Sequence, residues 1–84
     1  MTSGSPGAMT VRVKVGRGLE RFVSQTDLEM RVPTGTRIRD IIDMLCIPQG
    51  EVTIISRNGA LAGKEDALQD GDALRLYPPI GGGA

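Results

Sequence analysis

Thr36-Arg37-Ile38-Arg39-Asp40-Ile41-Ile42-Asp43-Met44-Leu45-Cys46-Ile47-Pro48 is the stretch of this chain that reads as a helix. Ile38, Ile41, Ile42 and Leu45 fall at i, i+3, i+4 and i+7, which lines them along one helical face. Arg37, Arg39, Asp40 and Asp43 take the other side. Thr36 is the expected N-cap, since its hydroxyl can accept an amide of the first turn. Pro48 ends the segment and pushes Ile47 out of helical geometry. A helix of about ten residues is marginal by itself in water. Its apolar face must therefore be held by whatever flanks it.

What flanks it on both sides is strand. Toward the N-terminus, Asp27–Val32 alternates, with Leu28, Met30 and Val32 pointing one way, and Pro33-Thr34-Gly35 breaks it. Thr10–Val15 alternates as well, with Val11, Val13 and Val15 inward and Arg12 and Lys14 outward. Two successive half-buried strands predict an antiparallel pair. Gly16-Arg17-Gly18 reads as a turn between them, and Phe22 and Val23 as cover for an edge of the core. Toward the C-terminus, Val52–Arg57 is rich in β-branched residues and predicts a third strand. Asn58-Gly59 is a tight-turn signal, leading to a short return strand at Ala60-Leu61-Ala62. Lys64–Leu68 is expected as a single helical turn. Asp70-Gly71-Asp72 turns the chain into a last strand, Ala73–Leu76.

The fold class is therefore α+β: a mixed sheet of four to five strands with one helix packed across one face. The last strand is expected in the centre of the sheet, beside the first. Residues 9–77 form the single domain, a size that 84 residues permit. Residues 1–8 read as a disordered segment or an expression remnant, with Met9 as the native start. Residues 78–84 read as a flexible arm.

Composition removes several function classes. Ten basic and ten acidic residues balance to zero, leaving no cationic excess for a phosphate backbone, and one Phe and one Tyr cannot build a base-stacking platform. No nucleic-acid partner is expected. No run approaches the roughly 20 apolar residues of a membrane span, and no charged-then-apolar leader points to export. With one cysteine, Cys46, an internal disulfide is impossible, and a cytoplasmic address is expected. With no histidine, neither the usual zinc site nor a Ser/His/Asp triad can be assembled. An independent enzyme is not expected. No metal site and no bound cofactor are expected either.

That leaves the C-terminus, Tyr77-Pro78-Pro79-Ile80-Gly81-Gly82-Gly83-Ala84. The two prolines lack the N–H a ladder requires and stop the last strand. The glycines carry no side chain to anchor to a core. Six residues from Pro78 to Gly83 reach roughly 20 Å when extended.

The order β-β-α-β-β, the Arg57-Asn58-Gly59 turn, the Leu68-Gln69-Asp70-Gly71-Asp72 run and the Pro78-Pro79-Ile80-Gly81-Gly82-Gly83 ending together resemble the ThiS/MoaD family of ubiquitin-like sulfur-carrier proteins. The Pro-Pro pair is most similar to the molybdopterin synthase small subunit. The resemblance covers roughly residues 9–83. It implies the ubiquitin-like β-grasp fold. It also implies a protein co-substrate whose terminal glycine carboxylate is adenylated by an ATP-dependent, ubiquitin-activating-type adenylyltransferase. A sulfur donor then converts the acyl-adenylate to a thiocarboxylate, and the arm delivers sulfur inside an acceptor synthase in a pathway such as molybdopterin or thiamine biosynthesis. ATP is used by the activating partner. Aligned on Pro78-Pro79, the reactive glycine is Gly83, with Gly81 and Gly82 as the threading arm. Ala84 departs from the pattern and requires a protease, unless it is foreign to the native chain. Alternatives are a ubiquitin-like modifier joined to a lysine through the same glycine, and a β-grasp interaction module whose tail has no chemistry.

The remaining candidates read more simply. Cys46, in the last helical turn, is expected as a small core or boundary residue rather than a reactive thiol. Asp70 and Asp72 have too few companion oxygens for a metal and read as a solvated turn. Arg12, Lys14, Arg57 and Arg75 are expected on outward strand positions. With Ile55, Tyr77, Pro78, Pro79 and Ile80 they make a candidate partner-docking face of apolar anchors and a charged rim, the alternative being an ordinary solvated sheet face.

Overall fold

The computed structural model describes residues 7–79. Five strands and one helix follow in the order β1 (Ala8–Val15), β2 (Asp27–Pro33), α1 (Ile38–Met44), β3 (Ile54–Arg57), β4 (Ala60–Ala62) and β5 (Ala73–Tyr77). The sheet order is β2-β1-β5-β3-β4. β1 and β5 run parallel at the centre, with Val13 opposite Leu74 and Val15 opposite Leu76. The β1–β2, β3–β5 and β3–β4 pairs are antiparallel. This is the mixed-sheet β-grasp arrangement, with the last strand beside the first as expected. β1 begins one residue before Met9, and Thr34 N–H bonds the carbonyl of Gly7 at 2.8 Å.

The valines of β1 explain the layering. Val11, Val13 and Val15 are buried with Leu74 and Leu76 of β5 and with Ile38, Ile41 and Ile42 of α1. Alternation of period 2 on the strands and 3.6 on the helix puts these residues in one interior. Leu19 is fully buried from the β1–β2 connection, and Leu28, Met30, Phe22 and Val23 pack partly buried against the same cluster.

Two local expectations are corrected. The helix starts at Ile38 with Arg37 as N-cap, not at Thr36. Thr36 Oγ1 donates instead to the Pro33 carbonyl at 2.7 Å, closing the turn after β2. The Asp40 carboxylate accepts the Arg37 N–H at 2.9 Å, which is half of a capping box. The second correction explains the first. Lys64–Leu68 is not a helical turn; it is a bridge segment pairing Ala67 with Arg37. Its carbonyls take the orphan amides of the first helical turn: Ile38 N–H bonds Asp66 O at 3.1 Å and Arg39 N–H bonds Lys64 O at 3.0 Å. A segment committed to capping another helix from its backbone cannot coil into one itself.

The other end of α1 is a Schellman motif. Ile47 N–H reaches Ile42 O at 3.2 Å and Cys46 N–H reaches Asp43 O at 2.9 Å. Cys46 takes the left-handed position with φ of 60° and is exposed. The expected core or boundary cysteine is thus a surface residue, because the position that closes the helix points outward.

Candidate functional site

The face of the sheet opposite α1 is open among the described residues. Outward positions on β2 are Asp27, Glu29 and Arg31; on β1, Thr10, Arg12 and Lys14; on β5, Ala73, Arg75 and Tyr77. Ile54 and Ser56 of β3 and Leu61 of β4 continue the face. Register lines them into a row, Asp27–Lys14–Arg75–Ser56–Leu61, that grades from acidic through basic to apolar. Arg12 Nε pairs with Asp27 Oδ1 at 3.2 Å, both side chains about half exposed, so the pair is worth little in stability. Lys14 and Arg75 make no ion pair among the described residues. Together with Arg12, Asp27 and Ala73 they line an open depression of about 350 Å³. Leu61 is 84% exposed, the most exposed large apolar side chain among the described residues.

Two residues expected on this face are elsewhere. Ile55 lies opposite Leu76 and is buried, 3% exposed, on the helix side. Arg57 lies opposite Leu74 and shares that side; its Nη1 donates to the Ala67 carbonyl at 2.9 Å. The apolar run Val52, Ile54, Ile55 does not reveal its own phase, and β3 starts only at Ile54, after a 3-10 turn at Gln49–Glu51. A shift of one residue sends every side chain to the other face. Ile54 and Leu61 are the apolar residues that Ile55 was expected to supply.

Tyr77 is where the expected docking face meets the expected arm. Its carbonyl accepts Thr53 N–H at 3.0 Å on one side. On the other, Gly16 N–H bonds the Leu76 carbonyl at 2.7 Å, continuing the β1–β5 ladder by one residue. The Tyr77 ring lies against Gly16, and Pro78 lies against Gly18. Pro78 is half-buried and Pro79 exposed. Ile80, Gly81, Gly82, Gly83 and Ala84 lie outside the described residues, as do Met1–Pro6.

The two turn motifs converge. Asn58, at φ of 54°, and Gly59, at 86°, form the β3–β4 turn. Asn58 Nδ2 donates to Asp72 Oδ1 at 2.9 Å, and Asn58 Oδ1 accepts Ala73 N–H at 2.9 Å. Asp72 Oδ2 accepts Gln69 N–H at 2.8 Å. Asp72 is 6% exposed, so it is a buried strut and not a solvated turn residue. Asp70 accepts Thr10 N–H at 2.7 Å. Both carboxylates are committed to holding the entrance of β5. Among the described residues there is no group of three or more metal-ligating side chains, and no helix is long and apolar enough to cross a membrane.

In this setting the Glu20 carboxyl has its pKa lowered from the ordinary 4.5. The largest cause is hydrogen bonding from its own backbone amide, followed by the Gly18 N–H, which Glu20 Oε1 accepts at 2.5 Å; Arg17 and Arg21 add a smaller attraction and desolvation opposes them. The Gly16–Glu20 loop is thereby closed beside the end of β5.

Comparison with known proteins adds three findings. A family model described as the ThiS family matches residues 18–83. No curated protein matches significantly. Solved structures of similar fold include a putative molybdopterin converting factor, subunit 1, from Pyrococcus furiosus, at 24% identity, covering 86% of this chain and 99% of that one with a TM-score of 0.70. The Haloferax volcanii HVO 2177 protein is 25% identical over 98% of this chain and 93% of its own, with a TM-score of 0.71. Small archaeal modifier protein 1 of H. volcanii is 19% identical over 86% and 99%, with a TM-score of 0.70.

Proposed function

Because the chain belongs to the ThiS family, we propose that it is a sulfur-carrier protein whose reactive group is the carboxylate of Gly83, exposed once Ala84 is removed. The observation that carries this reading is the family match over residues 18–83. It runs through Gly83 and leaves Ala84 outside. The fold supports it: β5 is central, and the arm begins where that strand ends, at the margin of the open face.

The chemistry asked of the chain is small. A carboxylate is a poor electrophile, and adenylation converts its oxygen into a leaving group. The partner supplies ATP and the catalytic groups. This chain supplies docking area and a terminus without Cβ atoms, which can enter a narrow channel. The arm's two prolines limit the conformations it must give up on entering. The docking face is assigned to Arg75, Lys14, Tyr77, Ile54 and Leu61, with Pro78 and Pro79 as the stiff base of the arm. An activating adenylyltransferase and a sulfur-acceptor synthase are the partners this chemistry needs. A cytoplasmic site of action fits it.

The test is incubation of the chain ending at Gly83 with ATP, a sulfide source and the adenylating enzyme of the same host, read by intact mass. A gain equal to exchange of one oxygen for sulfur supports the carrier, with the full chain unchanged. If the host's sulfur-dependent product forms normally after deletion of Gly81–Ala84, the reading is wrong. A second reading, a modifier joined to lysine through Gly83, is favoured by the likeness to small archaeal modifier protein 1, equal in TM-score to that of the converting factor. Lysine-linked adducts in the host would select it.

A further inference from the structure

We propose that the Gly16-Arg17-Gly18 loop is a positioning device: it seats Tyr77 and Pro78 and so fixes the direction in which the arm leaves the sheet. The functional consequence rests on the carrier reading; the seat itself does not.

The argument starts from why residue 16 is glycine. Its φ lies outside the left-handed range that would demand glycine, unlike Gly18, Gly35, Gly59 and Gly71. Backbone conformation therefore does not explain it. Space does. A Cβ at Gly16 would fall 2.6 Å from Tyr77 Cδ1 and 2.9 Å from the Leu76 carbonyl oxygen. The first contact is with a ring and the second with backbone, so neither yields easily. The loop backbone is pressed onto the last two residues of β5.

Residue 18 repeats the arrangement one step further along the arm. Gly18 has φ of 101°, and a Cβ there would lie 3.0 Å from Pro78 Cγ. The loop is itself held from behind. Leu19 N–H bonds Gly16 O at 3.1 Å, Leu19 is fully buried, and the Glu20 carboxylate holds Gly18 N–H. The seat is thus anchored to the core by Leu19 and closed by Glu20. Opposite it, Thr53 N–H holds the Tyr77 carbonyl. Tyr77 is gripped from both neighbours, and Pro78 is fixed by the loop and by its own ring. The six residues from Pro78 to Gly83, which span roughly 20 Å at full extension, therefore leave the sheet from a base whose position and initial direction are set at this point.

The test uses the full chain in weakly aligned solution, with Gly16→Ala and Tyr77→Ala. Tyr77→Ala removes the seated ring without crowding the loop, which covers the case in which Gly16→Ala does not fold. The readout is the N–H residual dipolar coupling of Ile80, the first amide after the prolines, with Val11, Val13 and Leu74 as controls for the fold. In the unmodified chain the Ile80 coupling is expected to fit the alignment of the sheet. In the variants it is expected to fall by at least half while the controls hold. An Ile80 coupling averaged to zero in the unmodified chain, or unchanged in both variants, overturns the proposal. In the adenylation assay, on the chain ending at Gly83, Gly16→Ala is expected to lower kcat at least tenfold with KM within about twofold, since it leaves every side chain of the docking face in place; Tyr77→Ala removes one of them and is read by the Ile80 coupling alone. Equal kcat for variant and parent overturns the positioning role and leaves the carrier reading standing. Absence of adenylation in the parent, with the couplings as expected, overturns the carrier reading and leaves the seat standing.

Discussion

Replacing Asn58 with alanine tests how the entrance of β5 is held. The side chain makes two hydrogen bonds, one to the Asp72 carboxylate and one from Ala73 N–H, both 2.9 Å. The first has a charged acceptor in a nearly buried carboxylate and is worth about 1.5–3 kcal/mol; the second is exposed and worth about 0.5–1.5 kcal/mol. Alanine also tolerates the φ of 54° less well than asparagine does. The expected loss is about 3–5 kcal/mol, which lowers Tm by roughly 12–40 °C in a domain of this size. Thermal unfolding followed by circular dichroism, with a denaturant titration for the free energy, measures it. Asn58→Gly restores the backbone tolerance and should recover only about 1 kcal/mol of the loss, separating the two contributions. Asn58→Asp, the product of deamidation at an Asn-Gly pair, sets a second carboxylate against Asp72. Two carboxylates in contact cannot both ionise cheaply, which raises the folded-state affinity for a proton. Relative to the parent, that variant is therefore expected to gain stability as pH falls through the carboxylate range. A loss below about 1 kcal/mol for Asn58→Ala, or an Asn58→Asp variant that loses as much stability in acid as the parent or more, would refute the strut.

Three further outcomes follow from the geometry. Cys46→Gly relieves a left-handed position at the end of α1 and should stabilise by about 0.5–1 kcal/mol, the relief of backbone strain being partly offset by the entropy of an added glycine; a lower Tm would contradict it. Glu20 has a lowered pKa, so its contribution to closing the Gly16–Glu20 loop is present above the ordinary glutamate range and is lost as pH falls through the lowered value. The Glu20 carboxyl and Gly18 amide resonances should titrate together with a midpoint below 4.5, and a midpoint at or above that value counts against the bond. Arg75→Glu reverses the charge at the centre of the open face and should weaken binding to the adenylating partner at least tenfold, with a stability change within about 0.5 kcal/mol as for an ordinary surface position; unchanged affinity removes Arg75 from the docking face.

Strand order and the helical face were legible because both rest on periodicity. Val11, Val13 and Val15 alternate cleanly, and Ile38, Ile41 and Ile42 recur at helical spacing, so each names its buried side. The failures occur where period is silent. Val52, Ile54 and Ile55 form an apolar run whose phase depends on where β3 begins, and a 3-10 turn moved that start, burying Ile55 and turning Ile54 outward. Thr36 has the chemistry of a cap, yet the Pro33 carbonyl takes its hydroxyl, and the cap is supplied by residues nearly thirty positions later. Gly16 read as a turn residue because glycine usually means conformation; here it means proximity to Tyr77, and no local signal distinguishes the two. Asn58-Gly59 and Asp70-Gly71-Asp72 were each ordinary turn signals. Their joint role required knowing that β3 and β5 are neighbours.

The central place of β5 bears on what the arm can do. A strand that carries a terminal arm is pulled and pushed whenever the arm enters a partner. β5 is paired on both sides, to β1 through Arg12–Val15 and to β3 through Ile54–Arg57. Force on Tyr77 is therefore shared by two ladders and by the Gly16–Gly18 seat. An arm attached to β4, which pairs on one side through three residues, would peel its strand from the edge at each insertion. Placing the arm on a strand paired on both sides would let the domain stay folded when the arm enters a partner. The same placement puts the open basic and apolar face beside Tyr77 and Pro78, so under the proposed carrier reading docking of that face would bring the base of the arm to the partner.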